Sequence, residues 1–385
     1  MELKRERTYR NLFAETGRSG EEIEKKILDA VQVFFYGSEE ERIYHPVGAD
    51  MGYLEDTGNH DARTEGMSYG MMMCVQLDKK EEFDRIWKWT KTYMWMQEGM
   101  NEGYFAWSCK TSGEKNAQGP APDGEEFFAM ALFFASHRWG DGEGIFAYSD
   151  EARAILRACL HKGENGRPGK PMWNHENRQI LFVPGCPFTD PSYHLPHFYE
   201  LFALWADEED RPFWKEAAAA SRRYLATACH PVTGMNPEYG NFDGSPMTEP
   251  LPWHSEPHFN FYSDAYRTVA NIGLDAAWFG IDEGQLSAPL KLMCFLGTDL
   301  EAARCVFSVD GTPLEQTVLH PLGLLATTAQ GALAVPPVAG EDYETALTWV
   351  NWLWSKPLRR GPRRYYDNCL YLFALLALSG KYRVW

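Results

Sequence analysis

Charged side chains recur in this chain where loop-like sequence gives way to an apolar run. Arg63 and Glu65 open "RTEGMSYGMMM". Asp123, Glu125 and Glu126 open "PDGEEFFAMALFF". Asp190 and Tyr193 stand in "DPSYHLPHF", Asp264 and Arg267 in "YSDAYR", His320 before Pro321, and Arg364 with Asp367 in "RRYYDNCLYLF". Carboxyl pairs of this kind are the reagents of glycosidic hydrolysis. One carboxylic acid protonates the leaving oxygen while a second carboxylate activates water or attacks the sugar. Burial keeps the proton on the first, and a polar, arginine-supported setting keeps the second ionised. Glu65, Asp123 and Asp264 are the acids suited to this work.

Taken singly, these residues have ordinary accounts. An Asp at a helix start caps it and complements the macrodipole. Arg267, three residues after Asp264, suits an intrahelical ion pair, and Met71, Met72 and Met73 suit core packing. Glu65 is the exception, because its surroundings favour burial and a buried carboxyl needs a partner or a raised pKa. A cation beside it would lower that pKa. Arg63 is therefore expected to turn to another partner, such as Asp61, or to the cleft.

The elements that must position these groups are helices. Periodicity predicts them at about 21–35, 65–77, 80–96, 124–139, 149–161, 190–206, 209–228, 263–280, 284–297, 320–334, 341–354 and 365–379. Ser19 and Glu22 form a capping box for the first. The helices alternate between amphipathic ("KKEEFDRIWKWTKTYMW") and apolar on all sides ("DNCLYLFALLALSG"). Six exposed helices alternating with six buried ones predict an all-α (α/α)6 barrel, an inner ring within an outer one, as a single domain over 1–385. The long connections 36–63, 97–123, 162–190, 229–262 and 298–319 each precede an inner helix. They should gather at the inner helices' N-terminal end, with short strands among them, "RQILFVPG" being one candidate. Trp107, Trp173, Trp253 and Tyr262 in these loops offer flat platforms for sugar rings.

A net charge of −17 disfavours nucleic acid and polyanionic partners and leaves a neutral ligand as the simplest reading. Eight dispersed cysteines without a C-x-x-C pair suggest neither a zinc site nor a disulfide framework. No apolar run reaches membrane-span length, and the charged N-terminus shows no secretory signal. A soluble cytoplasmic protein is expected.

The segment "APDGEEFFAMALFFASHRW" resembles the signature of family eight glycoside hydrolases, with Pro122 where Ser or Thr is usual, Glu125 where Asp is usual, and Phe128 in place of Ile or Met. "DTGNHDARTEGMSYGMMM", "DPSYHLPHFYELF", "YSDAYRTVANIGLDAAWFG", "LHPLGLLAT" and "RRYYDNCLYLFALLALSG" are similar to the branch of that family that releases xylose from reducing ends. The resemblance implies the same barrel and an inverting mechanism without metal or organic cofactor. It makes Glu65 the general acid, Asp264 the general base and Asp123 the acid that binds and distorts the sugar. Tyr193 would help Asp264 hold water, Arg267 would steady the base, and Trp107 would be a subsite platform. His320, in the "LHP" kink, would contact the free anomeric hydroxyl and confine action to the chain end. The substrate implied is a β-1,4-xylo-oligosaccharide, and carboxyls roughly 6.5–9.5 Å apart are expected of an inverting pair. An endo-acting xylanase, glucanase or chitosanase of the same family is the nearest alternative. A sugar epimerase on the same barrel and a non-catalytic binding scaffold are more distant ones.

Overall fold

The computed structural model describes residues 8–251, 258–281, 284–297 and 305–385. Among these residues a single turn, α1 (Leu12–Glu15), leads into twelve longer helices that alternate in environment. α2 (Gly20–Tyr36), α4 (Lys80–Trp89), α6 (Tyr148–His161), α8 (Arg211–Ala228), α10 (Ala288–Leu296) and α12 (Glu341–Trp354) each keep a solvent-facing side. α3 (Thr64–Gln76), α5 (Pro122–Trp139), α7 (Pro196–Trp205), α9 (Arg267–Phe279), α11 (Pro321–Gln330) and α13 (Arg364–Leu378) are enclosed. All fifteen residues of α13 are buried, and so is every residue of α3 except Glu65.

Local sequence explains the helix starts. The Ser19–Glu22 capping box is formed in α2, satisfying two orphan donors. Pro122, Pro196 and Pro321 are the first residues of α5, α7 and α11, where a missing N–H costs nothing and the fixed φ suits the helix.

The enclosed helices touch in sequence. α3 packs on α5, α5 on α7, α7 on α9, α9 on α11, α11 on α13, and α13 returns to α3. Each amphipathic helix covers one of them: α4 lies on α3, α6 on α5, α8 on α7, α10 on α9, α12 on α11 and α2 on α13. The apolar character of the odd-numbered helices follows from this arrangement, since each has protein on every side. Among the described residues, no helix is long and apolar enough to cross a membrane.

Among the described residues, seven short strands lie in the connections: β1 (Tyr44–Val47) with β2 (Met51–Leu54), β3 (Asp61–Arg63) with β4 (Ser108–Lys110), and β5 (Asn260–Phe261), β6 (Cys305–Ser308) and β7 (Pro313–Thr317) in one sheet. "RQILFVPG" is not a strand; it makes only an isolated bridge between Trp173 and Ile180. The β3–β4 pair sets Arg63 opposite Ser108, and the Thr64 N–H then donates to the Trp107 carbonyl at 2.9 Å. That pairing fixes where α3 begins.

The start of α5 lies against the start of α3. A Cβ at Gly124 would fall 2.5 Å from Thr64 Cβ and 2.6 Å from Thr64 Oγ1, so only glycine permits this approach. The approach matters because Asp123 and Glu65 sit beside these two residues. Gly124→Ala is expected to cost about 1–3 kcal/mol of stability through overpacking, measured by urea unfolding. Wild-type stability in that variant would contradict the close approach.

Candidate active site

The N-terminal ends of α3, α5, α9 and α13 open into a cleft of about 720 Å³. Arg267, the first residue of α9, lies at its floor and is 4% exposed. Its Nη1 donates to Glu65 Oε2 at 2.9 Å, to the Tyr69 hydroxyl at 3.0 Å and to Asp123 Oδ2 at 3.1 Å. Its Nη2 lies 3.6 Å from Asp264 Oδ1 and 4.0 Å from Asp190 Oδ2. The guanidinium also faces the Tyr193 ring at 5.6 Å and the Tyr366 ring at 6.0 Å.

One positive charge cannot balance four carboxylates in a desolvated site. Burial raises the Glu65 carboxyl most; Arg267 opposes this, and the charges of Asp123 and Asp264 add to it, leaving Glu65 at about 7. Asp123 is raised to about 6, by burial first and against Arg267. Asp190 is pushed up by burial as well. The three acids suited to catalysis differ in exposure: 8% of the Asp123 side chain is exposed, 16% of Glu65 and 35% of Asp264. Asp264 is the most hydrated of them, and Glu65 and Asp123 are where burial favours retention of a proton.

Each acid is held by hydrogen bonds. The Tyr365 hydroxyl donates to Glu65 Oε1 at 2.9 Å, the oxygen that Arg267 does not take. Gly66 makes room for it, because a Cβ there would fall 2.5 Å from that hydroxyl. Asp123 Oδ1 accepts from the Gly124 N–H at 2.9 Å. Asp264 follows Ser263, whose φ of +31° is strained for a residue with a Cβ. The Tyr366 hydroxyl donates to the Ser263 carbonyl at 3.3 Å and lies 3.5 Å from Asp264 Oδ1, tying this turn to α13.

Arg63 turns away from Glu65. Its Nε lies 3.0 Å from Asp61 Oδ1 and 3.1 Å from Asp56 Oδ2, and its guanidinium rests over the Trp107 ring at 5.2 Å. Trp107, 40% exposed, thus presents a braced ring at the cleft wall. Tyr193, Tyr262, Leu319 and His320 also line the cleft. The His320 ring packs edge-on against Tyr366 at 4.8 Å, with Nδ1 3.7 Å from Asp367.

Several helix-start residues lie elsewhere. Arg364 donates to the backbone carbonyls of Glu39, Glu41 and Arg42 instead of entering the cleft. Asp367 is buried against Arg359 and the Gly323 N–H. Glu125 is buried behind the cleft, where Oε1 accepts from the Phe105 N–H at 3.0 Å and burial raises its pKa to about 8. Glu126 is buried alongside it. Trp173 is no platform: it is 1% exposed and packs on Trp214 and Tyr199. Trp253 lies outside the described residues.

Sequence reasoning missed Tyr69, Tyr365, Tyr366 and Glu238. The tyrosines had a signal. Tyr69 is four residues after Glu65 and so on the same helix face, and Tyr365 and Tyr366 lie between the flagged Arg364 and Asp367. Glu238, in the 229–262 loop, faces the cleft and pairs with His258 at 3.0 Å. Nothing local in "NPEYG" marks it.

Residues 49–298 match the model of glycosyl hydrolases family 8. The chain is 55% identical, over 98% of its length and 95% of the relative's, to the reducing end xylose-releasing exo-oligoxylanase of Halalkalibacterium halodurans. It is 52% identical, over 97% and 96%, to the enzyme of the same description from Bifidobacterium adolescentis. The structure of Rex8A from Paenibacillus barcinonensis in complex with xylose superposes with a TM-score of 0.93 at 55% identity, covering 98% of this chain and 97% of that one. This chain belongs to glycosyl hydrolase family 8.

Proposed function

We propose that this protein hydrolyses β-1,4-xylo-oligosaccharides with inversion, releasing xylose from the reducing end, on a single-domain (α/α)6 barrel. The observation that carries the reading is the shared guanidinium of Arg267, which contacts Glu65 and Asp123 and approaches Asp264 from one cleft floor. The exo specificity is supported by the relatives' activity and by the near-complete coverage of both chains. The closed succession of contacts among α3, α5, α7, α9, α11 and α13, each covered by a partner, supports the barrel. A cytoplasmic location belongs to this reading, in which Cys74, Cys159 and Cys369 serve as buried apolar thiols.

In this reaction Glu65 is the general acid. It holds its proton near neutrality because burial and the neighbouring acids outweigh Arg267. As the bond to the departing xylose breaks, that proton passes to the glycosidic oxygen. Asp264, the more hydrated carboxylate, takes a proton from the water that attacks the anomeric carbon on the opposite face, with Tyr193 helping to hold that water. Asp123, anchored by Arg267 and the Gly124 N–H, binds the sugar at the scissile bond. Trp107 stacks under a sugar ring. Leu319 and His320 close the leaving-group side, where a buried directional hydrogen bond to the anomeric hydroxyl rejects longer leaving groups.

Xylotriose labelled at its reducing-end carbon tests the direction of cleavage. The label is expected in free xylose, and the xylobiose formed alongside it should first appear as the α anomer by NMR. Label retained in the disaccharide would contradict the exo reading; a β product would contradict inversion. Asp264→Asn is expected to lower kcat by about a hundred- to ten-thousandfold, and wild-type turnover would remove Asp264 from the role of base.

The acid must be protonated to act, so kcat/KM should fall as pH rises through about 7, the Glu65 value. The Tyr365 bond favours the ionised carboxylate and lowers that pKa. Tyr365→Phe should therefore move the alkaline limb to higher pH. A shift to lower pH, or none, would show that this limb belongs to another group.

A further inference from the structure

Four arginines crowd the approach to α13, in "RRGPRR". Three have partners. Arg359 pairs with Asp367 and donates to the Leu319 carbonyl at 2.8 Å. Arg360 pairs with Glu41 at 2.9 Å. Arg364 serves the backbone carbonyls of Glu39, Glu41 and Arg42. Arg363 has neither a hydrogen bond nor an ion pair among the described residues, and it is the one of the four that lines the cleft.

Its position is built. The half-buried side chain lies on Gly58, where a Cβ would fall 2.8 Å from Nη1 and 2.9 Å from Cδ. Its charge reaches Tyr262, whose phenol is raised by burial and by Glu238, with Arg363 opposing both. The other cleft arginines are committed, Arg63 to Asp56 and Asp61 and Arg267 to Glu65 and Asp123. Elsewhere the cleft wall is acidic, with Asp56, Glu65, Asp123, Glu238 and Asp264. Among the described residues this half-buried guanidinium gives up hydration without gaining a counter-ion, and the hydroxyls of a neutral xylo-oligosaccharide do not supply one. A carboxylate does, in bidentate geometry. The acids that line much of the rest of the cleft disfavour a carboxylate beside them, so placement is selected along with charge.

We infer that Arg363 receives the carboxylate of an acidic xylo-oligosaccharide, making it a specificity residue for substrates that carry a carboxyl. The inference rests on the xylo-oligosaccharide reading above. A uronate side group and an aldonate chain end present the same carboxylate chemistry, and the substrates of the test separate them.

The test compares kcat/KM on neutral xylotetraose, on xylotetraose bearing one glucuronate and on xylotetraonate, for the unaltered protein and for Arg363→Gln. The acidic-to-neutral ratio is expected to fall about tenfold in the variant for one of the acids, the scale of one charge-assisted contact in a partly hydrated site. The acid affected identifies the source of the carboxylate. Arg363→Lys should retain part of the preference, since it keeps the charge and loses the fork. An unchanged ratio for both acids, in a protein that cleaves neutral xylotetraose, overturns the inference alone. Failure of the unaltered protein to cleave neutral xylotetraose overturns the underlying reading and this inference with it.

Discussion

The site depends on one guanidinium shared among four carboxyls. Arg267 is buried, so its charge must be compensated, yet a single cation cannot hold Glu65, Asp123, Asp190 and Asp264 all ionised in a desolvated pocket. The shortfall decides where protons stay. Glu65 and Asp123 are raised, and Asp264 is the most hydrated of these acids. Carboxyls of the same chemical type are thus set in different surroundings by their positions around a common cation.

That arrangement imposes demands on the helices. Residues from the starts of α3, α5 and α9 must meet on one guanidinium, so the enclosed helices must approach closely at this end. Gly124 against Thr64, and Gly66 against Tyr365, are where the backbone gives up side chains to allow it. Tyr365 and Tyr366, adjacent on α13, then reach two different acids, Glu65 and Asp264. The strained turn at Ser263 is held on the same helix through its carbonyl.

Much of this was legible in the sequence because burial on every side leaves a plain record. The apolar runs in α3, α5 and α13 and the charged runs in α4 and α8 mark enclosed and covering helices, and a helix start is where a polar residue can enter a cleft. Which polar residue enters is a tertiary matter. Arg364 and Asp367 looked as suited to the cleft as Arg63 and Glu65, but their helix rotation sends them to loop carbonyls and Arg359. The tyrosines between them face the acids instead. Trp173 looked like a platform because loops rich in Trp often expose it, whereas here Trp214 and Tyr199 enclose it. Arg63 did turn to Asp61, but the cation that does reach Glu65 comes from 202 residues away, a contact no local pattern carries.

The most direct test of the account is the titration of Glu65 itself, followed by its side-chain carboxyl 13C resonance, identified by comparison with Glu65→Gln. A midpoint at about 7 is expected in the unaltered protein. A lower midpoint is expected in Asp123→Asn, where one competing charge is gone and Arg267 is shared among fewer acids. A Glu65 that titrates at the ordinary carboxylate value of about 4.5, with no response to Asp123→Asn, would contradict the claim that a shared cation leaves this carboxyl holding its proton.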